Sequence, residues 1–565
     1  MSHGRIFSWW SAWHSGARGR AVFRLFLGGV AVGVLLVLVI SLSLALGAVG
    51  CGSPSLEEVQ LDSGPVKGVK EEGQGKELWV FKGIPYAAPP VGELRWKPPQ
   101  PVAPWKEVRL CDSFGPSCPQ PPQSGTFYLE VGSTSEDCLY LNVWTPAKSA
   151  KERLPVMVWI HGGSFETGSG SMQVYDGTNL AAKGVVVVTI NYRLGPLGFL
   201  AHPALSAESA QGVSGNYGLL DQIAALQWVQ RNIAAFGGDP ARVTVFGESA
   251  GAISILDLLV SPLAQGLFSR AISESGILLD AGFGVSTTGA LAEAEAAGER
   301  FAALLGIESS GGAGASEVAA KLRAKTPEEL VAAATKFDEE AGLLQEGLTW
   351  KPVADGYVLP DLPTKLWAAG KQQPVPLLLG TTADEGNLFT SGVSMSADEF
   401  KQRMKVIFGD YAEEALALYP IAESSDVASV FSRMLTEMGF ASTARFAARM
   451  MSAVAPTYLY QFTRVPFGNP LGAFHGVEIP YVFGNLDMFS LLGTIEQRDR
   501  DLSATIMGYW TRFATAGDPN GEDAPTWPRY DPGSDQHLEL GDSVKVGSGL
   551  YKAACDLADR MRGLK

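Results

Sequence analysis

A serine at position 249 lies in the pattern G-x-S-x-G, which reads GESAG over residues 247–251. An apolar run at residues 243–246 leads directly into this pattern, and small and apolar residues follow it. A strand, a sharp turn and a helix in this order present a serine hydroxyl as a nucleophile at the edge of a sheet. Glycines suit such a turn because a Cβ there would collide with neighbouring backbone. The pattern therefore predicts acyl-transfer chemistry at Ser249, the alternative being an ordinary β-to-α turn.

A serine hydroxyl needs a base to take its proton, and that base is usually a histidine. The chain has six histidines, of which His475 and His537 follow Ser249. Hydrolases with a serine on such a turn have the chain order serine, acid, histidine. His475 lies between two apolar segments, whereas His537 lies in a polar stretch typical of a surface loop. We therefore expect His475 to be the base.

The acid that orients the imidazole is expected between the serine and the histidine. Asp384 and Glu385 follow an apolar run at residues 376–379 and a short turn. The carboxyl ends of parallel strands are where such folds keep their sites. Either carboxylate is suited to orient the imidazole. The alternative is an acidic pair at the exposed N-terminal end of a helix, where negative charge is also favoured.

Ester cleavage also requires N–H donors directed at the oxyanion that develops in the transition state. His161, Gly162 and Gly163 follow the apolar run at residues 156–160, and this sequence resembles the H-G-G loop of esterases. The two glycines can bring their N–H groups close because they lack side chains. The third donor is expected to be the N–H of Ala250, the residue after the nucleophile.

The arrangement of apolar runs indicates which elements position these residues. Runs of four to six apolar residues without polar alternation are typical of strands buried on both faces. The runs are residues 156–160, 185–190, 243–246 and 376–379. They alternate with helical stretches such as residues 219–236, and strand alternating with helix favours an α/β fold. We expect a large, mostly parallel central sheet with helices on both faces, preceded by a small N-terminal β-hairpin that includes residues 78–86.

The first fifty residues predict export. Their charged residues are four arginines, and residues 25–50 carry no charge, which is the pattern of a signal peptide. The run ends in LGAVGC, which resembles a bacterial lipobox with Cys51 as the lipidated residue. An uncleaved membrane anchor and an ordinary cleaved signal are the alternatives. Each places the protein outside the cytoplasm, with residues 51–76 expected to form a tether and residues 77–565 a single large domain.

The composition excludes several other classes of protein. The formal charge is −15, and removal of the first fifty residues, with their four arginines, lowers it to −19. A chain this acidic is not expected to bind nucleic acid, which requires a basic surface. An aromatic content of 10% argues against a disordered chain. Residues 286–345, rich in Ala, Glu and Lys, predict surface helices that are either solvent-facing decoration or a lid over a pocket.

Longer blocks of sequence resemble the type-B carboxylesterases, the family of cholinesterases, liver carboxylesterases and bacterial nitrobenzyl esterases. The serine block reads VTVFGESAG and a second block reads EDCLYLNVW. The matching blocks are residues 136–144, 191–195, 215–222, 236–240 and 243–251. The resemblance spans about residues 77–560. It implies an α/β-hydrolase fold with helical, lid-like insertions, and it implies carboxylic-ester hydrolysis.

The resemblance also chooses among the candidate residues. The family acid is a glutamate in a D-E-G sequence, which favours Glu385 over Asp384. The family histidine lies in an H-G-x-E sequence, which residues 475–478 match. The implied triad is Ser249, Glu385 and His475, acting through an acyl-enzyme that water then hydrolyses. No metal or cofactor is implied.

The cysteines and one loop bear on the substrate class. Family members pair the cysteine of the second block with one upstream, which implies a disulfide between Cys118 and Cys138. For Cys111 and Cys555, both a disulfide and two buried free thiols remain open. The loop at residues 119–137 lacks the tryptophan with which cholinesterases bind a quaternary ammonium. We therefore expect neutral esters as substrates.

Two other functions are compatible with the same scaffold. One is a non-catalytic, cholinesterase-like binding or adhesion protein, but that branch typically loses part of the triad that Ser249, Glu385 and His475 retain here. The other is a lipase, carbamate hydrolase or amidase that uses the same triad on a different bond, because the pocket decides the substrate.

Overall fold

The strands and helices follow the apolar runs of the sequence. The computed structural model describes residues 56–122, 130–279, 286–308, 314–341, 348–390, 395–491 and 493–564. The strands are β1 (Glu58–Gln60), β2 (Pro65–Lys67), β3 (Val69–Gly73), β4 (Lys76–Pro85), β5 (Arg109–Leu110), β6 (Tyr140–Thr145), β7 (Leu154–Ile160), β8 (Val186–Ile190), β9 (Gly238–Glu248), β10 (Arg270–Glu274), β11 (Gly289–Ala290), β12 (Val353–Ala354), β13 (Leu377–Thr382), β14 (Thr457–Phe462), β15 (Gln536–Leu540) and β16 (Val544–Ser548).

The described residues also form α-helices, which are numbered in chain order. They are α1 (Thr178–Ala181), α2 (Gly195–Phe199), α3 (Pro203–Glu208), α4 (Tyr217–Asn232), α5 (Ala250–Leu258), α6 (Leu291–Leu304), α7 (Ala315–Arg323), α8 (Pro327–Ala341), α9 (Pro363–Ala368), α10 (Gly386–Thr390), α11 (Ala397–Phe408), α12 (Ala412–Leu418), α13 (Val427–Met434), α14 (Ser442–Ser452), α15 (Ile479–Phe483), α16 (Gln497–Ala516) and α17 (Lys552–Met561). A π-helix, Leu435–Ala441, joins α13 to α14.

The central sheet has eleven strands in the order β16-β15-β14-β13-β10-β9-β7-β8-β6-β4-β3. The strands from β15 to β8 are parallel to one another. Antiparallel strands complete the sheet at both edges. This arrangement confirms the predicted large, mostly parallel sheet and the antiparallel hairpin at its N-terminal edge.

Strand β7 explains why the apolar runs lack polar alternation. Val156 and Val158 belong to one hydrophobic cluster, while Met157 and Trp159 belong to a second cluster. Successive side chains of a strand point to opposite faces of the sheet, so both faces of β7 are buried. Helix α4 packs into the first cluster and helix α16 into the second. The sheet therefore has helices on both faces, as predicted.

The predicted tether at residues 51–76 is wrong for its larger part. Strands β1, β2 and β3 lie within it, and the compact unit begins at Leu56. Val59 and Val66 face each other across the β1–β2 pair and are almost fully buried. The Glu and Lys residues that suggested a tether occupy the exposed positions of these short strands, so the composition reflects one solvent-facing side.

The cysteines of the described residues fall into two groups. Cys118 and Cys138 form a disulfide, as the family resemblance implied. Cys111 and Cys555 are free and buried, which is the second of the two alternatives for this pair. Part of the loop closed by the disulfide, residues 123–129, lies outside the described residues.

The N-terminal predictions concern residues that the structure does not describe. Residues 1–55, with Cys51 among them, lie outside the described residues, so the export signal and the lipidation stay predictions. Among the residues that are described, no helix combines the length and the apolar character needed to cross a bilayer.

Candidate active site

Ser249 lies at the turn between strand β9 and helix α5. Its backbone has φ 55° and ψ −121°, a positive-φ conformation that is uncommon for a residue with a side chain. The turn is tight because α5 begins directly under the neighbouring strand. A Cβ at Gly251 would lie 2.0 Å from the backbone oxygen of Ile160. The predicted strand–turn–helix at the GESAG sequence is therefore present, with the serine at its apex.

Glu385 and His475 are joined by a short hydrogen bond. Nδ1 of His475 lies 2.5 Å from Oε2 of Glu385, and both side chains are buried. Nε2 of His475 has no aligned hydrogen-bond partner among the described residues. Phe389 and Phe440 pack on the imidazole and also line the pocket that contains Ser249. Nε2 itself lies 3.1 Å from Oε1 of Glu248, the residue that precedes the nucleophile in the turn.

The structure separates the two acidic residues between which the residue pattern alone could not choose. Glu385 lies at the imidazole. Asp384 instead accepts a hydrogen bond from the backbone N–H of Ala473 at 2.8 Å, and its own N–H donates to the carbonyl of Ala473. Asp384 therefore holds the loop that carries His475, while Glu385 contacts the ring itself.

The other oxygen of Glu385 is fixed by three donors. The hydroxyls of Ser275 and Thr381 each donate to Oε1 at 2.6 Å, and the N–H of Thr382 donates at 2.8 Å. Burial alone would raise the pKa of Glu385, but the charge of His475 and these hydrogen bonds hold it below its ordinary value. Glu385 is therefore a fixed carboxylate that can orient and stabilise a charged imidazole.

Three further glutamates face the same buried space. Burial raises the pKa of Glu248 to about 7 and that of Glu274 to about 8, and it raises the pKa of Glu478 well above its ordinary range. Burial alone would lower the pKa of His475, but the negative charges of Glu248 and Glu385 raise it to about 9. The imidazole is therefore surrounded by carboxyl groups that stabilise its protonated form.

The H-G-G loop lies against the nucleophile turn. A Cβ at Gly162 would lie 3.0 Å from the Cβ of Ser249, and a Cβ at Gly163 would lie 2.3 Å from the carbonyl oxygen of Thr167. Residues without side chains are therefore required at both places. Ala250 is the first residue of α5, where backbone N–H groups have no partner within the helix. Gly162 and Ala250 thus lie beside Ser249, and Gly163 is the next residue of the same loop.

His161 supports this loop from within the core. Its ring stacks on Tyr192 with centroids 4.5 Å apart, and its Nδ1 lies 2.8 Å from the carbonyl oxygen of Gly162. Burial lowers the pKa of His161 to about 4, so the ring is neutral near pH 7. Its place is structural, which agrees with the sequence expectation that it belongs to the oxyanion loop.

The pocket at Ser249 is small and has mainly apolar walls. Its volume is about 60 Å³. Its apolar walls are Ile253, Ile277, Leu348, Phe389, Leu435 and Phe440. Leu435 and Phe440 belong to the π-helix, an irregularity that is frequent at functional sites. These walls suit the uncharged portion of an ester.

Sequence reasoning missed Glu248 and Ser275 as neighbours of the triad. Glu248 lies in the variable position of G-x-S-x-G, and Ser275 follows the carboxyl end of strand β10 with a left-handed φ of 55°. The position after a parallel strand was the signal that could have found Ser275. The expected surface loop at His537 is wrong, because that residue lies on β15 and is buried.

No cluster of three or more His, Cys, Asp or Glu side chains arranged to hold a metal ion occurs among the residues described here. The side chains brought together at the site are the hydroxyl of Ser275, the imidazole of His475 and the carboxylate of Glu385. The sequence profile of the carboxylesterase family matches residues 55–558, almost the whole described chain. The chain belongs to the carboxylesterase family.

Named relatives of this carboxylesterase agree with the profile. Para-nitrobenzyl esterase of Bacillus subtilis (strain 168) is 41% identical, with 86% of this chain and 94% of the relative covered. Fumonisin B1 esterase of Sphingopyxis macrogoltabida is 40% identical, covering 86% and 87%. Liver carboxylesterase of Sus scrofa is 37% identical, covering 90% and 94%. These relatives are esterases, so the protein is a carboxylic-ester hydrolase.

The solved structure of a thermophilic PNB esterase is similar to this carboxylesterase. The two share 38% identity with a TM-score of 0.78, over 89% of this chain and 100% of the other. This similarity confirms the α/β-hydrolase fold that the sequence blocks implied.

Proposed function

We propose that this carboxylesterase hydrolyses neutral carboxylic esters through an acyl-enzyme on Ser249. One observation carries the proposal. Nδ1 of His475 is bound to the fixed carboxylate of Glu385, while Nε2 lies 3.1 Å from Oε1 of Glu248, the residue before Ser249. An imidazole oriented by a carboxylate through Nδ1 is the base that takes the proton of a serine hydroxyl in sites of this kind.

The proposed reaction has two halves. Oγ of Ser249 attacks the ester carbonyl carbon while its proton passes to Nε2 of His475. The N–H groups of Gly162, Gly163 and Ala250 stabilise the oxyanion. The bond to the alcohol oxygen then breaks, and His475 protonates the departing alcohol. Water attacks the acyl-enzyme in the same way, with His475 again the base and the carboxylic acid as product.

The substrate class follows from the pocket and from the relatives. The walls at Ser249 are mainly apolar and carry no cation or carboxylate among the described residues that line it. The names of two relatives, para-nitrobenzyl esterase and fumonisin B1 esterase, support an ester over an amide or a carbamate as the substrate.

Hydrolysis of p-nitrophenyl butyrate by the full chain tests the proposal. We expect turnover, covalent labelling of Ser249 by a serine-directed phosphonate, and loss of both in Ser249→Ala with an unchanged thermal unfolding midpoint. A silent parent protein that the phosphonate does not label would instead support the non-catalytic binding function. Parallel assays with a p-nitrophenyl carbamate and a p-nitroanilide separate esters from the other bonds.

We also propose that the enzyme acts outside the cytoplasm, attached to a membrane through a lipid on Cys51. The basic and apolar N-terminal sequence supports this, and so does the Cys118–Cys138 disulfide, since disulfides persist in oxidising compartments. Mass spectrometry of the N-terminal peptide from a bacterial expression host tests it. A diacylglyceryl Cys51 is expected, and Cys51→Ser should release the protein. An unmodified Cys51 in a retained N-terminus would contradict the proposed lipidation.

A further inference from the structure

A second and larger cavity adjoins the pocket at Ser249. Its volume is about 430 Å³, against about 60 Å³ for the pocket that contains the nucleophile. Pockets that enclose an organic ligand usually have volumes of about 300–1,000 Å³. The space beside Ser249 therefore suffices for the reacting carbonyl and a few atoms, whereas the second cavity has the size of a ligand site.

At two places, the wall between the large cavity and the pocket at Ser249 is formed by a single residue or by two adjacent residues. Leu348 lines both cavities. Ser286 lines the large cavity, and the next residue, Thr287, lines the pocket at Ser249. Leu348 is only half-buried, and side-chain rotation of such a residue takes place in nanoseconds. Leu348 is therefore a side chain whose rotation changes the wall that the two spaces share.

The walls of the large cavity are suited to a hydrocarbon. Phe199, Phe337 and Trp350 are buried aromatic side chains that line it. Helix α6 contributes the small residues Ala294 and Ala297 to the lining of the same cavity. The charged side chains of Glu293, Arg300 and Lys351 also border the cavity, and the Arg300 guanidinium lies 5.9 Å from the centre of the Phe337 ring.

We propose that this cavity receives a long apolar arm of the ester whose carbonyl is attacked at Ser249. The preferred substrates are then esters with a long hydrocarbon arm, since each buried methylene group contributes about 0.8 kcal/mol. The inference rests on the proposed function, because it assigns the distal part of the substrate of that same site.

A cavity-filling substitution tests the inference. Ala297→Trp places an indole in the large cavity, and Ala292→Trp puts the same side chain at an exposed position of the same helix that does not line it. For each protein we would measure kcat/KM with p-nitrophenyl acetate and p-nitrophenyl decanoate, and with methyl and decyl acetate. The two pairs lengthen the acyl arm and the alcohol arm separately.

We expect Ala297→Trp to lower the long-to-short ratio of kcat/KM about tenfold in one of the two pairs, which is the effect of losing about two buried methylene groups. Ala292→Trp should leave both ratios within twofold of the parent. Ala294→Trp, which also fills the cavity, should repeat the result if Ala297→Trp proves unstable.

The four esters distinguish a failure of the proposed ester hydrolysis from a failure of the inference about the large cavity. A parent protein that hydrolyses none of the four esters contradicts the proposed function. A parent that hydrolyses them, with ratios that neither filling variant changes in either pair, overturns the inference about the cavity. Equal loss on short and long esters in both filling variants overturns it as well.

Discussion

Oε1 of Glu248 lies 3.1 Å from Nε2 of His475, while Glu385 holds Nδ1 of the same ring. The imidazole therefore lies between two carboxyl groups, one on each ring nitrogen. Glu248 immediately precedes the nucleophile in sequence, so the carboxyl group beside Nε2 belongs to the turn that carries Ser249. This contact stabilises the protonated ring, whereas the proposed first step requires the neutral ring.

This geometry predicts an activity that rises with pH over an unusually high range. The pKa of His475 is raised to about 9, so the imidazole is charged and unable to accept a proton below that pH. In Glu248→Gln, loss of the charge beside Nε2 lowers this pKa. We expect the acidic limb of kcat/KM against pH to move about one pH unit downwards.

The control for this experiment is Glu72→Gln, because Glu72 is exposed on strand β3 and remote from the triad in the sheet order. Glu72→Gln should leave the acidic limb of kcat/KM against pH unchanged. The carboxyl group of Glu385 remains on Nδ1 of His475 in both variants, so the comparison isolates Glu248. An acidic limb that does not move in Glu248→Gln would contradict the prediction.

Substitution of the two adjacent acids should separate their roles. Glu385→Gln removes the charge that orients His475, and we expect kcat/KM to fall about 10³–10⁴-fold. Asp384→Asn keeps an oxygen that can accept the hydrogen bond from Ala473, so we expect less than a tenfold loss. Steady-state kinetics on p-nitrophenyl butyrate measure both. A larger loss in Asp384→Asn than in Glu385→Gln would reverse the assignment.

The close approach beneath the nucleophile turn predicts a steric effect on stability. In Gly251→Ala the new Cβ would lie 2.0 Å from the carbonyl oxygen of Ile160, so strand or helix must move. We expect a loss of about 1–3 kcal/mol in the free energy of unfolding, the usual cost of overpacking. Gly314→Ala is the matched control, because nothing lies within 4 Å of its added Cβ. Denaturant unfolding of the two variants should differ accordingly.

Asp257 on helix α5 has a carboxyl group whose removal is expected to stabilise the fold by an amount that depends on pH. Its carboxyl group is fully buried, and neither oxygen has a hydrogen-bond partner among the described residues. Burial raises the pKa of Asp257 well above its ordinary value, so the folded protein binds this proton more tightly than the unfolded chain does. At low pH the buried carboxyl group is protonated and neutral in both states. The free energy of unfolding then falls as the pH rises above about 4, where the unfolded chain loses this proton.

Asp257→Asn removes the titrating group while keeping its shape. We expect the thermal unfolding midpoint to rise at pH 8 by about 1 °C for each kcal/mol of stabilisation, and the gain to shrink towards pH 4. Asp410→Asn, at an exposed position, provides the comparison. The interpretation fails if the gain from Asp257→Asn is the same at both pH values.

Local sequence predicted the elements that carry the chemistry. The apolar runs at β7, β9 and β13 became buried parallel strands because each run buries both of its faces, which leaves a signature within a few residues. The turn at Ser249 was also predictable, because the pattern that specifies it lies within residues 247–251. The tether was mispredicted because short edge strands such as β1 show few apolar positions, and their exposed faces resemble a linker.

The sequence by itself determined the fold class, the serine turn, the family and the residue types of the triad, since each depends on neighbours along the chain or on blocks of residues. Only the tertiary structure decided what surrounds the imidazole. Ser275 and Glu385 are 110 positions apart and Glu385 and His475 are 90 apart, yet hydrogen bonds join them. The two carboxyl groups at His475 and the large cavity behind Leu348 likewise arise where separate loops meet. Packing of the sheet, and no local pattern, sets those distances.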